Sequence, residues 1–333
     1  MQKRKFGSTG TKVSAIGIGA MSFSNFYGPA DTEQSHAILS LALDLGIDHI
    51  DTSNVYGNGV SEERIGSFLA KQGAGRNSLF KIATKAAICR DEDGKTFIDN
   101  SPAHLAAELD KSLLRLGVDQ VEVFYVHRRD PALPIEEVTE ALAGFVRSGK
   151  IKQFGFSEIA PTSLARAAAV HPVGAVQSEY SLSTRSPELG LVQKTAELGT
   201  TLVAFCPVGR SLLTDKPHSA ENAATMPFLK TNPRFVEPNL SLNVKATAGF
   251  RALAGDMGVK TSTLAIAWLL HQGEHILPIP GTRSTDHLRE LAKGADLKLS
   301  ATDLEEINRQ LPVGWAHGDR YSIAQWAAPE RYC

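Results

Sequence analysis

Short apolar runs alternate with stretches of helical periodicity along most of this chain. The runs at 16–19, 47–50, 81–84, 121–125, 151–156, 175–177, 201–205 and 276–279 are strand-length and nearly all apolar, as strands buried on both faces are. Between them, Ile38, Leu39, Leu41, Ala42 and Leu45 form one helical stripe, with Asp31 and Gln34 as its capping pair. Arg64, Ile65 and Leu69 mark a second helix, and 105–116, 135–147 and 162–169 predict three more. Strands that alternate with helices imply an α/β fold with a parallel sheet covered on its outer face. Eight such units close as a (β/α)8 TIM barrel, here a single domain over 1–333.

Three segments stand outside the repeat. Residues 5–14 alternate polar and apolar around Gly7 and Gly10, which predicts an N-terminal β-hairpin plugging one end of the barrel. The long loop after strand 7, residues 206–240, exceeds an ordinary connection and reads as functional. The C-terminal tail, 313–333, carries Trp315, Tyr321 and Trp326.

Composition narrows the partners. With 333 residues and 42% apolar content the chain can bury a large core, and 35 Lys plus Arg against 36 Asp plus Glu leaves no field to gather nucleic acid or an anionic membrane. A small neutral molecule is the expected partner. The three cysteines, Cys89, Cys206 and Cys333, form no CxxC pair, and no apolar targeting segment follows MQKRKFG. Both fit a reducing cytoplasm. The most apolar late run, 264–270, is far short of the roughly 20 residues that cross a bilayer. No histidine has metal-ligand spacing, so no metal is expected. His171, His218 and His271 fall in loops or at helix ends, and His49 reads as a core residue.

Chemistry concentrates in GIDHIDTSNVYG, residues 46–57, where Asp51 and Tyr56 follow the second strand. A tyrosine has an ordinary pKa of about 10, so proton donation near neutrality calls for a neighbouring cation. Lys85 closes FKIATK, and His127 closes VEVFYVH. Taken singly, Asp51 and Lys85 could be a structural ion pair and His127 a satisfied barrel histidine. All four, each after its own strand, resemble the catalytic tetrad of the aldo-keto reductases. GFSE, QSEYSL, CPVGR and PIPGTR extend the resemblance over nearly the whole chain. It implies Tyr56 as general acid, Lys85 lowering its pKa, Asp51 holding Lys85, and His127 bonding the substrate oxygen.

Hydride must come from a cofactor. GIGAMS after the first strand is not the usual GxGxxG dinucleotide fingerprint. The resemblance implies instead a nicotinamide over the barrel mouth, near Gly19, Met21 and Asp51, its carboxamide held by Ser157, Glu158 and Gln177 above the ring of Phe205. The pyrophosphate would follow Pro207, Val208, Gly209 and Arg210, and the adenosine Gly281, Thr282, Arg283, His287 and Glu290. Arg283 would read the phosphate that distinguishes NADP from NAD. Three positions depart from the family pattern: Phe205 for Tyr, Glu158 for Asn, and Leu291 for Asn. A pyridoxal reductase and aldehyde reductase branch commonly carries that Glu, which implies a small aromatic or pyridoxal-like aldehyde.

The expected function is therefore NADPH-dependent reduction of a carbonyl substrate, without nucleic acid or membrane partners and with oligomeric state left open. A Schiff-base lyase using Lys85, and a weakly active cofactor-binding regulatory subunit, are the alternatives.

Overall fold

The computed structural model describes residues 1–73 and 75–332. Its main sheet has eight parallel strands: β1 (Ile18–Gly19), β2 (His49–Asp51), β3 (Lys81–Ala86), β4 (Val121–Val126), β5 (Ile151–Ser157), β6 (Ala175–Glu179), β7 (Thr201–Phe205) and β8 (Ile276–Pro278). Each pairs with the next in chain order. Gly17 N donates to Pro278 O at 2.9 Å and Gly19 N to Pro280 O at 3.0 Å, which brings the first strand back onto the last and closes a (β/α)8 barrel. The seam is tight: a Cβ on Gly19 would lie 2.6 Å from Ile279 O, so a larger residue would force it apart.

Helices wrap the outside: α1 (Thr32–Asp44), α2 (Val60–Ala70), α3 (Pro102–Leu116), α4 (Ile135–Arg147), α5 (Pro161–Val170), α6 (Leu191–Glu197), α7 (Thr261–Leu270) and α8 (Thr285–Lys293). Their ends follow side-chain chemistry. Asp31 accepts from Gln34 N ahead of α1, and Ser101 caps α3, where Pro102 takes a position that needs no N–H. The apolar stripe of α1, Ile38, Leu39, Leu41 and Ala42, is buried against the sheet.

Two apolar layers result. One lies between strands and helices. The other fills the barrel: Ala83, Val123, Ala175, Val203, Leu277 and Ile279 meet Phe6 and Val13 of the hairpin Lys3–Lys5 with Lys12–Ser14. That hairpin plugs the amino-terminal end, where Gly7 N donates to Thr201 Oγ1 and Gln153 Nε2 to Phe6 O. His49 is fully buried there, its ring 4.6 Å from that of Phe6. The carboxyl ends of the strands are left for other uses.

The segment after β7 is more structured than a loop. It includes helices Ala220–Thr225, Asn239–Ala246 and Ala248–Asp256, and Leu212, Ala223, Leu229, Phe235 and Leu240 make a small core of its own. The sequence boundary at residue 240 therefore falls inside a helix. Short helices with weak amphipathic stripes leave little periodic signal. A second hairpin, Ile88–Arg90 with Thr96–Ile98, follows β3 and was not legible in the pattern. From 313 the tail lies back across the barrel mouth: Trp315 Nε1 donates to Leu182 O, and Glu330 N to Glu158 O at 2.9 Å. Cys333 lies outside the described residues. No helix among them is long and apolar enough to cross a membrane.

Candidate active site

Period two along each strand selects the side chains that reach the mouth. Asp51 ends β2, Lys85 stands next to last on β3, and Gln177 and Glu179 share the inner face of β6. His127 follows β4, tied by its N–H to Ala86 O at 2.8 Å, and Tyr56 follows β2 in a turn where its own N–H donates to Ser53 O.

These residues meet. Lys85 is completely buried, and its ammonium donates to Asp51 Oδ1, to Thr52 O at 2.8 Å and to the Tyr56 hydroxyl at 3.2 Å. The other oxygen of Asp51 accepts from Gln177 Nε2 at 2.7 Å. His127 Nδ1 and Ser53 Oγ are 3.1 Å apart, and the His127 and Tyr56 rings meet edge to face at 5.8 Å.

Burial and charge compete at every group. Burial alone would lower the Lys85 pKa, but Asp51 and Tyr56 outweigh it and hold the ammonium above its ordinary range. Burial pushes the Tyr56 hydroxyl up from 10.0, and Lys85 pulls against that without cancelling it. The expected lowering is thus present as an opposing force, not as the net direction. His127 is driven well below 6.5, by burial first and then by Arg128 and Lys85, so its ring is neutral at neutral pH.

Around this centre lie the positions expected to hold a cofactor. Gly19 ends β1, and Met21 is half-buried in the one-turn helix Ala20–Phe23. Ser157 Oγ accepts from Arg128 Nη1 at 3.1 Å, and Phe205 packs on the barrel interior. Glu158 adopts φ 58°, a left-handed backbone unusual for a side-chain-bearing residue, and its carboxylate takes bonds from Ser178 Oγ, Glu179 N and Arg320 Nη2. Pro207 and Gly209 are buried and Val208 half-buried in the turn after β7, where Gly209 N donates to Cys206 O. Arg210, at φ 51°, donates through both terminal nitrogens to Glu179, at 3.0 and 2.7 Å.

Glu179 is the residue that sequence reasoning missed. It is 1% exposed, and Arg234 and Arg320 approach it at 3.6 and 3.7 Å. Burial alone would raise its pKa, yet Arg210, Arg320 and Arg234 hold it down at about 2. Its place two residues after Gln177 in QSEYSL was a readable signal. Nothing in the sequence paired it with arginines from the segment after β7 and the tail.

On the far side, Gly281 is exposed, Thr282 buried and Arg283 half-buried ahead of α8. Arg283 Nη1 donates to Pro29 O at 2.6 Å, and the residue forms no ion pair among the described residues. Ser284 Oγ caps α8 through His287 N. His287 is exposed, Glu290 is half-buried with its carbonyl accepting from Thr263 Oγ1, and Leu291 is buried in the core. The donor set fits an anionic dinucleotide: Arg210 Nε and Arg320 Nη1 are buried without hydrogen-bond partners, and Arg283 has no carboxylate partner among the described residues. Cys206 is free, and burial pushes its thiol up to about 11, which makes it a poor nucleophile. Among the described residues no group of three or more His, Cys, Asp or Glu is arranged to hold a metal ion.

A model of the Aldo/keto reductase family matches residues 15–311. The chain belongs to the aldo/keto reductase family. Among its relatives, Aldo-keto reductase yakc [NADP(+)] of Schizosaccharomyces pombe is 37% identical over 96% of this chain and 94% of its own. Probable aldo-keto reductase 1 of Glycine max is 35% identical, over 96% and 92%. The chain is similar in structure to the glycerol dehydrogenase AKR11B4 from Gluconobacter oxydans, with a TM-score of 0.81 and 25% identity over 93% of this chain and 94% of that one. The family is one of oxidoreductases.

Proposed function

We propose that this aldo-keto reductase reduces an aldehyde or ketone to the alcohol with NADPH, Tyr56 donating the proton. The observation that carries the reading is the buried Lys85 ammonium, bonded at once to Asp51 and to the Tyr56 hydroxyl. Proton loss from Tyr56 leaves a phenolate beside a fixed positive charge, so the cost of burying that anion is reduced at the moment it forms. Asp51 keeps the charge on Lys85, and Gln177 holds the second Asp51 oxygen. With Ser53 donating to Nδ1, neutral His127 presents Nε2–H to the substrate oxygen as negative charge develops there.

NADPH, when bound, supplies the hydride that no side chain can. Ser157, Glu158 and Gln177 would hold its carboxamide, Phe205 its ring face, and Arg283 with Ser284 its adenosine phosphate. The name of the yeast relative supports the choice of NADP. A small aromatic or pyridoxal-like aldehyde is the proposed substrate type, which Glu158 supports. A Schiff-base role for Lys85 is disfavoured, because imine formation needs a neutral, accessible amine and this one is a completely buried ammonium.

The test is NADPH oxidation against a panel of aldehydes, ketones and pyridoxal, with the alcohol identified. Stoichiometric alcohol formation, faster with NADPH than NADH, is expected. A cofactor that binds while no carbonyl compound is turned over would favour a regulatory role.

A further inference from the structure

The arginines around the barrel mouth differ in how their charge is met. Arg129 pairs with Glu330 at 2.8 Å, Arg210 and Arg234 with Glu179, and Arg320 with Glu158. Arg128 forms no ion pair among the described residues. It is half-buried, and both of its hydrogen bonds leave from Nη1: one to His127 O at 2.6 Å, one to Ser157 Oγ at 3.1 Å. Nε and Nη2 have no protein partner there. Those two bonds anchor the guanidinium between the residue that faces the substrate oxygen and a residue of the proposed nicotinamide site. Its charge reaches the Tyr56 and Tyr321 hydroxyls, where it opposes the rise that burial imposes, and the His127 ring, where it adds to the lowering that burial causes.

A half-buried cation without a counter-ion loses hydration that two hydrogen bonds to neutral oxygens replace only in part, so an anionic group would be favoured beside it. Tyr56 and His127 define where a carbonyl oxygen sits, which places Arg128 within reach of the rest of the same small molecule. We infer that Arg128 determines specificity by receiving a carboxylate of the substrate, so that the preferred carbonyl compounds are aldehydes or oxo compounds bearing an acid group. The inference rests on the reductase reading and narrows its substrate class. A planar guanidinium with two free donor nitrogens matches a carboxylate. One charge-assisted contact corresponds to a preference of about ten-fold to a hundred-fold.

Matched probes separate charge from shape: 3- and 4-carboxybenzaldehyde against their methyl esters, and succinic semialdehyde against its methyl ester. The wild-type enzyme should show kcat/KM at least about ten-fold higher for at least one acid than for its ester, with the difference mainly in KM and shrinking as salt is raised. Arg128→Gln should lower that acid-to-ester ratio about ten-fold or more, whatever happens to the ester rate, and Arg128→Lys should keep part of it. Equal kcat/KM for every acid and ester in the wild type would overturn the inference while leaving the reductase reading intact, as would an unchanged ratio in Arg128→Gln or, if that variant does not fold, in Arg128→Lys. If no probe oxidises NADPH, the reductase reading fails and this inference falls with it.

Discussion

Lys85 keeps a full charge in a completely buried position because Asp51, the Thr52 carbonyl and the Tyr56 hydroxyl surround its ammonium. Lys85→Met removes the cation that pulls the Tyr56 pKa down most, ahead of Arg128, so the hydroxyl should titrate higher still. Alcohol oxidation, which needs the phenolate, should then lose more activity at neutral pH than aldehyde reduction, which starts from the phenol. Rates in both directions across pH check this, and equal losses with an unmoved profile would contradict the coupling. Arg283 makes a separate prediction. Arg283→Ala should weaken NADPH binding roughly ten-fold to a hundred-fold and hardly change NADH, because one charged hydrogen bond contributes about 1.5–3 kcal/mol. Fluorescence titration with each cofactor decides it. Asp51, Lys85 and His127 were legible because each lies at or just beyond the carboxyl end of a short strand, where the chain reaches the mouth. Arg234 and Arg320 were not, since their positions depend on how the segment after β7 and the tail fold back.

At the scale of elements, Glu179 gathers the barrel mouth. Arg210 and Arg234 bring in the segment after β7 and Arg320 brings in the tail, so one carboxylate on β6 ties down two coverings. Glu179→Gln leaves these guanidiniums facing less counter-charge, and breaking a buried pair costs about 3–5 kcal/mol. The loss should be local, since the segment after β7 has its own small core and the barrel beneath is continuous. Limited proteolysis should therefore cut within 206–240 faster in the variant. NADPH should slow cutting of the wild type there if this segment covers the cofactor. Indifference to NADPH would mean that the segment does not cover the cofactor. The strands and five of the barrel helices could be read from apolar runs and stripes. The helices of the segment after β7 could not, because they are held by contacts between segments distant in sequence, such as Asn243 with His317.

For the molecule as a whole, the packing that builds the site also makes stability depend on pH. His49 and His127 both titrate below 6.5, burial being the first cause in each. Below that value the unfolded chain binds protons that the folded one refuses, so stability falls on acidification, by at most about 1.4 kcal/mol per pH unit for each ring. Glu179 acts lower: its contribution is complete above 4.5 and is lost as pH falls towards about 2. Thermal unfolding should therefore occur at lower temperature at pH 5 than at pH 7, and a flat profile would contradict the burial of uncharged rings.

The proposed chemistry comes down to one hydroxyl within this frame, and a paired measurement on Tyr56→Phe tests it most directly. NADPH affinity and aldehyde turnover are measured on the same preparation. Removal of a general acid should lower turnover by about 10²–10⁴-fold while NADPH still binds as it does to the wild type. Near-normal aldehyde reduction by Tyr56→Phe would show that the proton comes from elsewhere.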